Sequence, residues 1–92
     1  MRLKFDKITF KNTTYTLKEP LRVERLFYYD GWSIITQFDE FYGVGETIDE
    51  AIEDLYEDFH YLYKRLMELP DTRLGKHMLE MKEYFKSNVV KS

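Results

Sequence analysis

The sequence predicts an α+β fold: a small antiparallel sheet of three to five strands, a long amphipathic helix on one face of it, and a second, C-terminal helix. Two observations support this class. Strand-like alternation and turn signals fill the first part of the chain, whereas apolar residues after residue 47 recur at three- and four-residue steps. We expect one domain over 1–92, with a frayed tail at 87–92.

Two hairpins are predicted before the first helix. The first joins two short strands on either side of Lys11 to Thr14. Pro20 should end or edge the second of these strands, because it has no N–H to donate to a ladder. The second hairpin joins 21–29 to 32–38 through Asp30 and Gly31, the residue pair that matches strand twist best.

An Asp30-Gly31 loop would fix the register of the second hairpin. Phe27 would face Ile34 and Val23 would face Phe38, and we expect this side of the hairpin to belong to the core. Because side chains alternate between the faces of a strand, the residues between them must lie on the other side.

That other side carries an apolar group made of Leu26, Tyr28 and Ile35, with Leu26 and Ile35 as direct neighbours. Such a group on an outer face is either covered by another part of the chain or used as a contact. We expect a contact, and a second copy of the chain, forming a dimer, is the favoured occupant.

The segment 42–51 combines a strand exit with a complete helix start. Gly43 and Gly45 would let the chain turn through backbone angles that a side chain forbids. Thr47 is the expected N-cap, accepting a hydrogen bond from the N–H of Glu50 while the Glu50 carboxylate reaches back to the N–H of Thr47.

Two helices should follow. The first runs from about Thr47 to about Glu68 and packs its apolar stripe on the sheet. The second has about four turns after Pro70, and Gly75 within it is expected to permit close approach to a neighbour. Its apolar positions are Leu74, Met78, Met81 and Phe85.

Charge is distributed unevenly along the chain. Residues 26–63 hold ten acids and no Lys or Arg, while 1–25 hold seven Lys or Arg against three acids. The carboxylates of the first helix are either an ordinary solvated face or an electronegative strip that attracts a basic protein, and they disfavour direct nucleic-acid binding by this helix. The members of this acidic row are Glu50, Glu53, Asp54, Glu57 and Asp58.

No catalytic residue, cofactor site or metal site is predicted. His60 and His77 do not stand at a two-histidine metal spacing. The acids of the first helix could gather Mg²⁺, but no carboxylate is placed to face them from another element. Gly43 and Gly45 lack the third glycine and the Lys-Ser/Thr ending of a phosphate loop.

Composition narrows the setting further. The chain has no cysteine, which excludes disulfides and thiolate metal sites and fits a reducing compartment. It has no apolar run of about 18 residues that could cross a bilayer. We therefore expect a cytoplasmic protein without membrane contact.

The hairpin and the helix entry together resemble the HicB-like antitoxin family, over about Leu21 to Leu66 or half of the chain. That family shows a hairpin closed by Asp-Gly-aromatic, then Gly-x-Thr-x-x-Glu-Ala and an acidic amphipathic helix. The matching residues are Asp30, Gly31, Trp32, Gly45, Thr47, Glu50 and Ala51.

The resemblance implies a partial ribonuclease H-like fold without that enzyme's carboxylate site. It also implies an oligomeric, non-enzymatic protein that binds and neutralises a small basic ribonuclease toxin. The DNA-binding module that the family often appends is not expected, since 70–92 supplies one helix and a tail. Two alternatives stay open: a stand-alone oligomeric protein, and a metal-dependent nuclease on a ribonuclease H-like sheet.

Overall fold

A computed structural model describes residues 2–28, 31–38 and 42–91 of the chain. It confirms the α+β class, with two helices and an antiparallel sheet of five strands. A short 3-10 turn, Asp71–Arg73, lies between the helices. The strands are β1 (Arg2–Phe10), β2 (Thr13–Tyr28), β3 (Gly31–Thr36), β4 (Tyr42–Gly45) and β5 (Val89–Lys91), and the helices are α1 (Ile48–Glu68) and α2 (Lys76–Asn88).

The sheet is built around the long strand β2. Its strand order is β1-β2-β3-β4, and β5 pairs with β2 beside the first half of that strand. The expected frayed tail is therefore wrong for the described part of 87–92: residues 87 and 88 end α2, and 89–91 form β5. Pairing with β2 gives the backbone of this segment hydrogen-bond partners that a free tail would lack.

Pro20 does not end a strand, contrary to expectation. It lies inside β2, at a point where the ladders on both sides are interrupted. The pairing of β2 with β1 shifts between Phe5 and Lys7, and β5 reaches only as far as Leu17. A residue without an N–H is tolerated there because no ladder bond is required of it.

The side chain of Asn88 closes the gap beside Pro20. Its Oδ1 accepts from the backbone N–H of Glu19 at 2.7 Å, and its Nδ2 donates to the carbonyl oxygen of Glu19 at 3.1 Å. Asn88 is 6% exposed. The amide thus gives Glu19 the two hydrogen bonds that a residue of a neighbouring strand would give. It also ties the end of α2 to the sheet.

The second hairpin has the expected faces but a register that differs by two residues. Tyr28 pairs with Gly31 and Phe27 with Trp32, so Gly31 belongs to β3 and not to the loop as predicted, and Asp30 lies outside the described residues. A shift of two preserves the alternation of side chains, and Val23 and Ile34 are buried as expected. Phe27, also expected in the core, is 62% exposed, because it lies beside Trp32 at the loop end of the hairpin. Gly31 allows the close approach of β4, because a Cβ there would lie 3.1 Å from the carbonyl oxygen of Gly45.

Gly43 and Gly45 are required for a different reason from the one predicted. No described glycine has a positive φ, so these two do not supply unusual backbone angles. A Cβ on Gly43 would lie 2.1 Å from the carbonyl oxygen of Ala51, and one on Gly45 would lie 2.6 Å from the Ala51 nitrogen. The glycines let β4 and the first turns of α1 touch through their backbones.

Thr47 is the N-cap of α1, as predicted. Its hydroxyl accepts from the backbone N–H of Glu50 at 3.1 Å. The reciprocal bond differs from the expectation, because the Glu50 carboxylate accepts from the Thr47 hydroxyl, at 3.1 Å. The cap still satisfies one of the free N–H groups of the first turn and places a negative charge at the positive end of the helix.

Further along, α1 is separated from the sheet by aromatic side chains. The rings of Tyr15 and Phe59 have centroids 5.3 Å apart, and those of Tyr15 and Tyr63 are 4.8 Å apart. Phe85 of α2 contacts Phe59 and Tyr63 at 5.2 and 5.6 Å. Tyr15, Phe59 and Phe85 are fully buried, so this cluster joins both helices to the sheet in one core.

A lysine of α2 ties the helix to the segment that precedes it. Lys82 is buried and donates to the carbonyl oxygen of Leu69 at 2.7 Å, and it pairs with the carboxylate of Asp71 at 2.8 Å. That ion pair lowers the pKa of the Asp71 carboxyl. Gly75 does not permit a close approach as predicted, since it caps the helix N-terminus with open space around the position of a Cβ.

Candidate interaction surface

The acidic row predicted on α1 divides into two sets. Glu50, Glu53 and Glu57 are exposed. Asp54 and Asp58 are half-buried, and each accepts a hydrogen bond from β4: Asp54 from the N–H of Val44 at 2.9 Å and Asp58 from the N–H of Tyr42 at 3.2 Å. The two aspartates therefore act within the chain.

These two bonds close an edge of the sheet. Strand β4 is the last strand of the path β1-β2-β3-β4, so the N–H groups that point away from β3 have no strand to pair with. An open edge of this kind is a template for pairing with another chain. Asp54 and Asp58 stand one helical turn apart, which lets successive outward N–H groups of the strand each meet a carboxylate.

Burial and neighbouring charge raise the pKa of the Asp58 carboxyl. Desolvation is the largest cause, and the negative charges of Asp54 and Glu57 add to it, while the hydrogen bond from the N–H of Tyr42 acts in the opposite direction. The carboxylates of the row therefore lie close enough to repel one another. Their combined negative charge is expected to attract a cationic partner.

An apolar patch covers the outer face of the second hairpin and β4. Leu26 and Ile35 are exposed there, as predicted, but they are diagonal neighbours, because Leu26 pairs with Ser33 and Glu24 with Ile35. The side chain of Tyr28 lies outside the described side chains. The patch consists of Leu26, Ile35, Tyr42 and Val44, which are 47, 40, 52 and 50% exposed.

Sequence reasoning missed Tyr42 and Val44. The signal was present, because Tyr-Gly-Val-Gly alternates large and small residues and so places both large side chains on one face of a strand. Pairing of Val44 with Ser33 and of Tyr42 with Ile35 joins them to the outer face of β3. Next to the patch, an open groove of about 310 Å³ is lined by Arg22, Val23, Glu24, Ile35, Thr36 and Gln37.

The acidic row and the apolar patch, both predicted from the sequence, do not form one flat surface. Buried residues of α1, among them Ala51 and Leu55, pack on the inner face of the sheet, while the patch lies on the outer face. The two surfaces meet along β4, where Asp54 contacts the N–H of Val44. A partner must wrap around this edge to contact both.

His60 lies apart from both surfaces, in a hydrogen bond with a core residue. Its Nδ1 is 2.7 Å from the hydroxyl of the fully buried Tyr15. Desolvation lowers the pKa of His60, and the positive charges of Lys64, Lys91 and Lys11 lower it further. Burial raises the pKa of the Tyr15 hydroxyl. The neutral imidazole is therefore the favoured form, and its Nδ1 shares a hydrogen bond with the tyrosine hydroxyl.

Within residues 2–28, 31–38 and 42–91, no three His, Asp or Glu side chains come together where they could hold one metal ion. In the same part of the chain, neither helix has the length and the apolar composition that crossing a membrane requires.

Comparisons with protein-family models, with curated proteins and with solved structures found no significant match to this chain.

Proposed function

We propose that this protein is a non-enzymatic interaction module of the HicB-like antitoxin kind, which binds and neutralises a small basic ribonuclease. The observation that carries the proposal is the exposed acidic set Glu50, Glu53 and Glu57, in a stretch of the chain that holds no Lys or Arg from 26 to 63. A surface of one charge steers and orients a partner of the opposite charge.

The three glutamates and the two aspartates have different roles in this proposal. Asp54 and Asp58 hold the β4 edge, so their carboxylates are partly occupied. Glu53 and Glu57 are exposed, and they line a cavity with residues of β1 rather than of β4. The basic partner should therefore depend on the glutamates for contact and on the aspartates for the shape of the edge.

The apolar patch serves self-association in the same proposal. Its four members form two adjoining cross-strand rows, Leu26–Ser33–Val44 and Glu24–Ile35–Tyr42. Two copies related by a two-fold axis could cover each other's patches, because a two-fold interface brings the same surface together from both subunits. A dimer is the favoured state.

The partner is tested by co-expression with the basic protein encoded next to this gene, followed by co-purification at low salt and a ribonuclease assay. We expect a complex that silences the ribonuclease and dissociates as salt rises. Glu53→Lys combined with Glu57→Lys should abolish the complex, while Glu80→Lys, an exposed glutamate on α2, should not. Recovery of no complex, or equal loss in all variants, would refute the proposal.

The dimer is tested separately by sedimentation velocity. Ile35→Glu should convert the dimer to a monomer that keeps its fold, because a charge in the patch cannot be desolvated against its own copy. Val90→Glu is the matched control, since Val90 is 52% exposed and lies on β5, away from the patch. An assembly that Ile35→Glu leaves unchanged would remove the patch from this role.

A further inference from the structure

The region where the end of β1 meets the middle of α1 carries a second, differently composed surface. Three rings meet there, from β1 and from the middle of α1. Phe10 lies 5.0 Å from His60 and 5.7 Å from Tyr61, and His60 lies 5.1 Å from Tyr61, measured between ring centroids. Tyr61 is 50% exposed, so this ring cluster presents an aromatic face to solvent.

Three lysines from three separate elements surround this ring cluster. Lys11 lies in the turn after β1, with its Nζ 5.3 Å from the centroid of the Phe10 ring. Lys64 follows His60 by one helical turn and so shares its face of α1. Lys91 pairs with Tyr15 across β5 and β2, and the Tyr15 hydroxyl contacts His60.

Within the described part of the chain these lysines take no part in ion pairs, although Lys11 lines a cavity with Glu53 and Glu57. None of Lys11, Lys64 and Lys91 forms an ion pair with a residue of the described chain, and all three are exposed. Their combined field reaches the imidazole, since each of them lowers the pKa of His60. Three cations around one titratable ring form a local positive centre in a chain whose formal net charge is -3.

Acidic side chains limit the direction from which a ligand can approach. Glu53 and Glu57 line a cavity of about 200 Å³ together with Lys11 and Phe10. An anion inside that cavity would meet both carboxylates, so Lys11 can hold a phosphate only outside the cavity, on the side of Lys64 and Lys91. The opposite flank, toward Lys64 and Lys91, is the side on which an anion is attracted.

We propose that this basic aromatic end binds single-stranded nucleic acid, with a base stacked on Tyr61 and backbone phosphates held by Lys11, Lys64 and Lys91. Lysines beside exposed rings are the combination that such ligands require, because every base offers a stacking face and every linkage a negative charge. A duplex is a poorer fit, since its bases are already stacked on each other. The acidic row on the first half of α1 disfavours nucleic acid only at that half.

Fluorescence anisotropy with a labelled oligouridine of about 12 nucleotides, at about 50 mM salt, tests the proposal. We expect saturable binding. The logarithm of the association constant should fall with the logarithm of the salt concentration at a slope of about -2, as three phosphate contacts predict. Lys11→Glu, Lys64→Glu and Lys91→Glu should each weaken binding and reduce the slope. Lys86→Glu, the same charge change on α2, should alter binding much less.

Tyr61→Ala tests the stacking part and should weaken binding at least about fivefold, while Tyr42→Ala, another exposed tyrosine on β4, should not. Circular dichroism confirms that each variant is folded. The proposal is overturned by absent binding, by a duplex binding as tightly as the strand, or by Lys86→Glu matching the other lysine variants. If the free protein self-associates and the three lysine variants abolish that association, this end instead binds the acidic row of a second copy. None of these outcomes depends on a basic partner or on the apolar patch.

Discussion

Helix α1 contacts the sheet by backbone at its beginning and by aromatic rings further along. At the first contact, which we call the narrow end, the carbonyl oxygen of Ala51 lies where a Cβ of Gly43 would be. At the second, the wide end, Tyr15, Phe59 and Tyr63 fill the space between helix and sheet. The narrow end has no room for any side chain, whereas the wide end is made of the largest ones.

The difference extends to how each end completes its hydrogen bonds. The narrow end uses exposed or half-buried acceptors on α1, namely Thr47, Asp54 and Asp58. The wide end, taken together with the end of α2 that adjoins it through β5, uses the buried amide of Asn88 and a buried tyrosine hydroxyl. Buried groups cost more to leave without partners, so equal deletions at the two ends should have unequal effects.

The largest effect is expected from Gly43→Ala at the narrow end. The new Cβ would overlap the Ala51 carbonyl at 2.1 Å and the Leu55 nitrogen at 2.7 Å, and neither backbone atom can move without displacing α1. We expect a loss of about 3 kcal/mol in the free energy of unfolding, measured by urea denaturation.

Gly75→Ala is the control, since a Cβ there meets nothing within 4 Å. It should change stability by less than about 1 kcal/mol. Equal results for the two glycines would mean that α1 does not rest directly on β4.

Next in size is Asn88→Ala at the wide end. The substitution leaves both the N–H and the carbonyl oxygen of Glu19 without their partner, beside a proline that cannot help. We expect a cost of about 2 kcal/mol in chemical denaturation. Ser87→Ala, one residue earlier and exposed, removes only hydrogen bonds to carbonyls of its own helix and should cost less than about 0.5 kcal/mol.

The contrast between Asn88 and Thr47 explains what the sequence could predict. Thr47 and Glu50 are three residues apart, and their cap can be recognised from local spacing alone. Asn88 and Glu19 are 69 residues apart, and nothing in either segment indicates the other. The fold class, the helix start and the buried face of the second hairpin depend on local patterns and were predicted.

The same reasoning applies to the candidate surfaces. The acidic row and the pair Leu26 and Ile35 follow from helix and strand periodicity. The bonds from Asp54 and Asp58 to β4, and the meeting of Lys11, Lys64 and Lys91, depend on how α1 crosses the sheet. The register of the second hairpin was predicted from Asp30 and Gly31 as the loop, whereas Gly31 belongs to β3 and pairs with Tyr28.

Thr47→Ala should have a smaller effect, about 1 kcal/mol, since it removes one exposed cap at the narrow end. Thr47→Ser keeps the hydroxyl and should restore most of the loss. Urea denaturation measures both variants. An unchanged stability for Thr47→Ala would show that α1 begins at another residue.

The smallest effect concerns pH and the half-buried His60 at the wide end. Its pKa is below 6.5 in the folded protein, chiefly through desolvation and further through the three lysines. The unfolded chain therefore takes up the proton first as pH falls, so stability should decrease below about pH 6.5 and level off below the folded pKa. Lowering the pH from about 7.5 to 5.5 should thus destabilise the protein slightly.

His60→Gln isolates this contribution, because the glutamine amide can either donate to or accept from the Tyr15 hydroxyl while the titrating group is gone. His77 is present in both proteins, so its contribution cancels in the difference. Unfolding measured at both pH values should show a smaller decrease for the variant than for the natural chain. Asp58 at the narrow end acts with the opposite sign, because its raised pKa makes the folded state take up a proton before the unfolded one, and this gain comes only as pH falls through that raised value. A decrease of the same size in both proteins would mean that another group titrates. It would also mean that the lysines do not lower the pKa of His60.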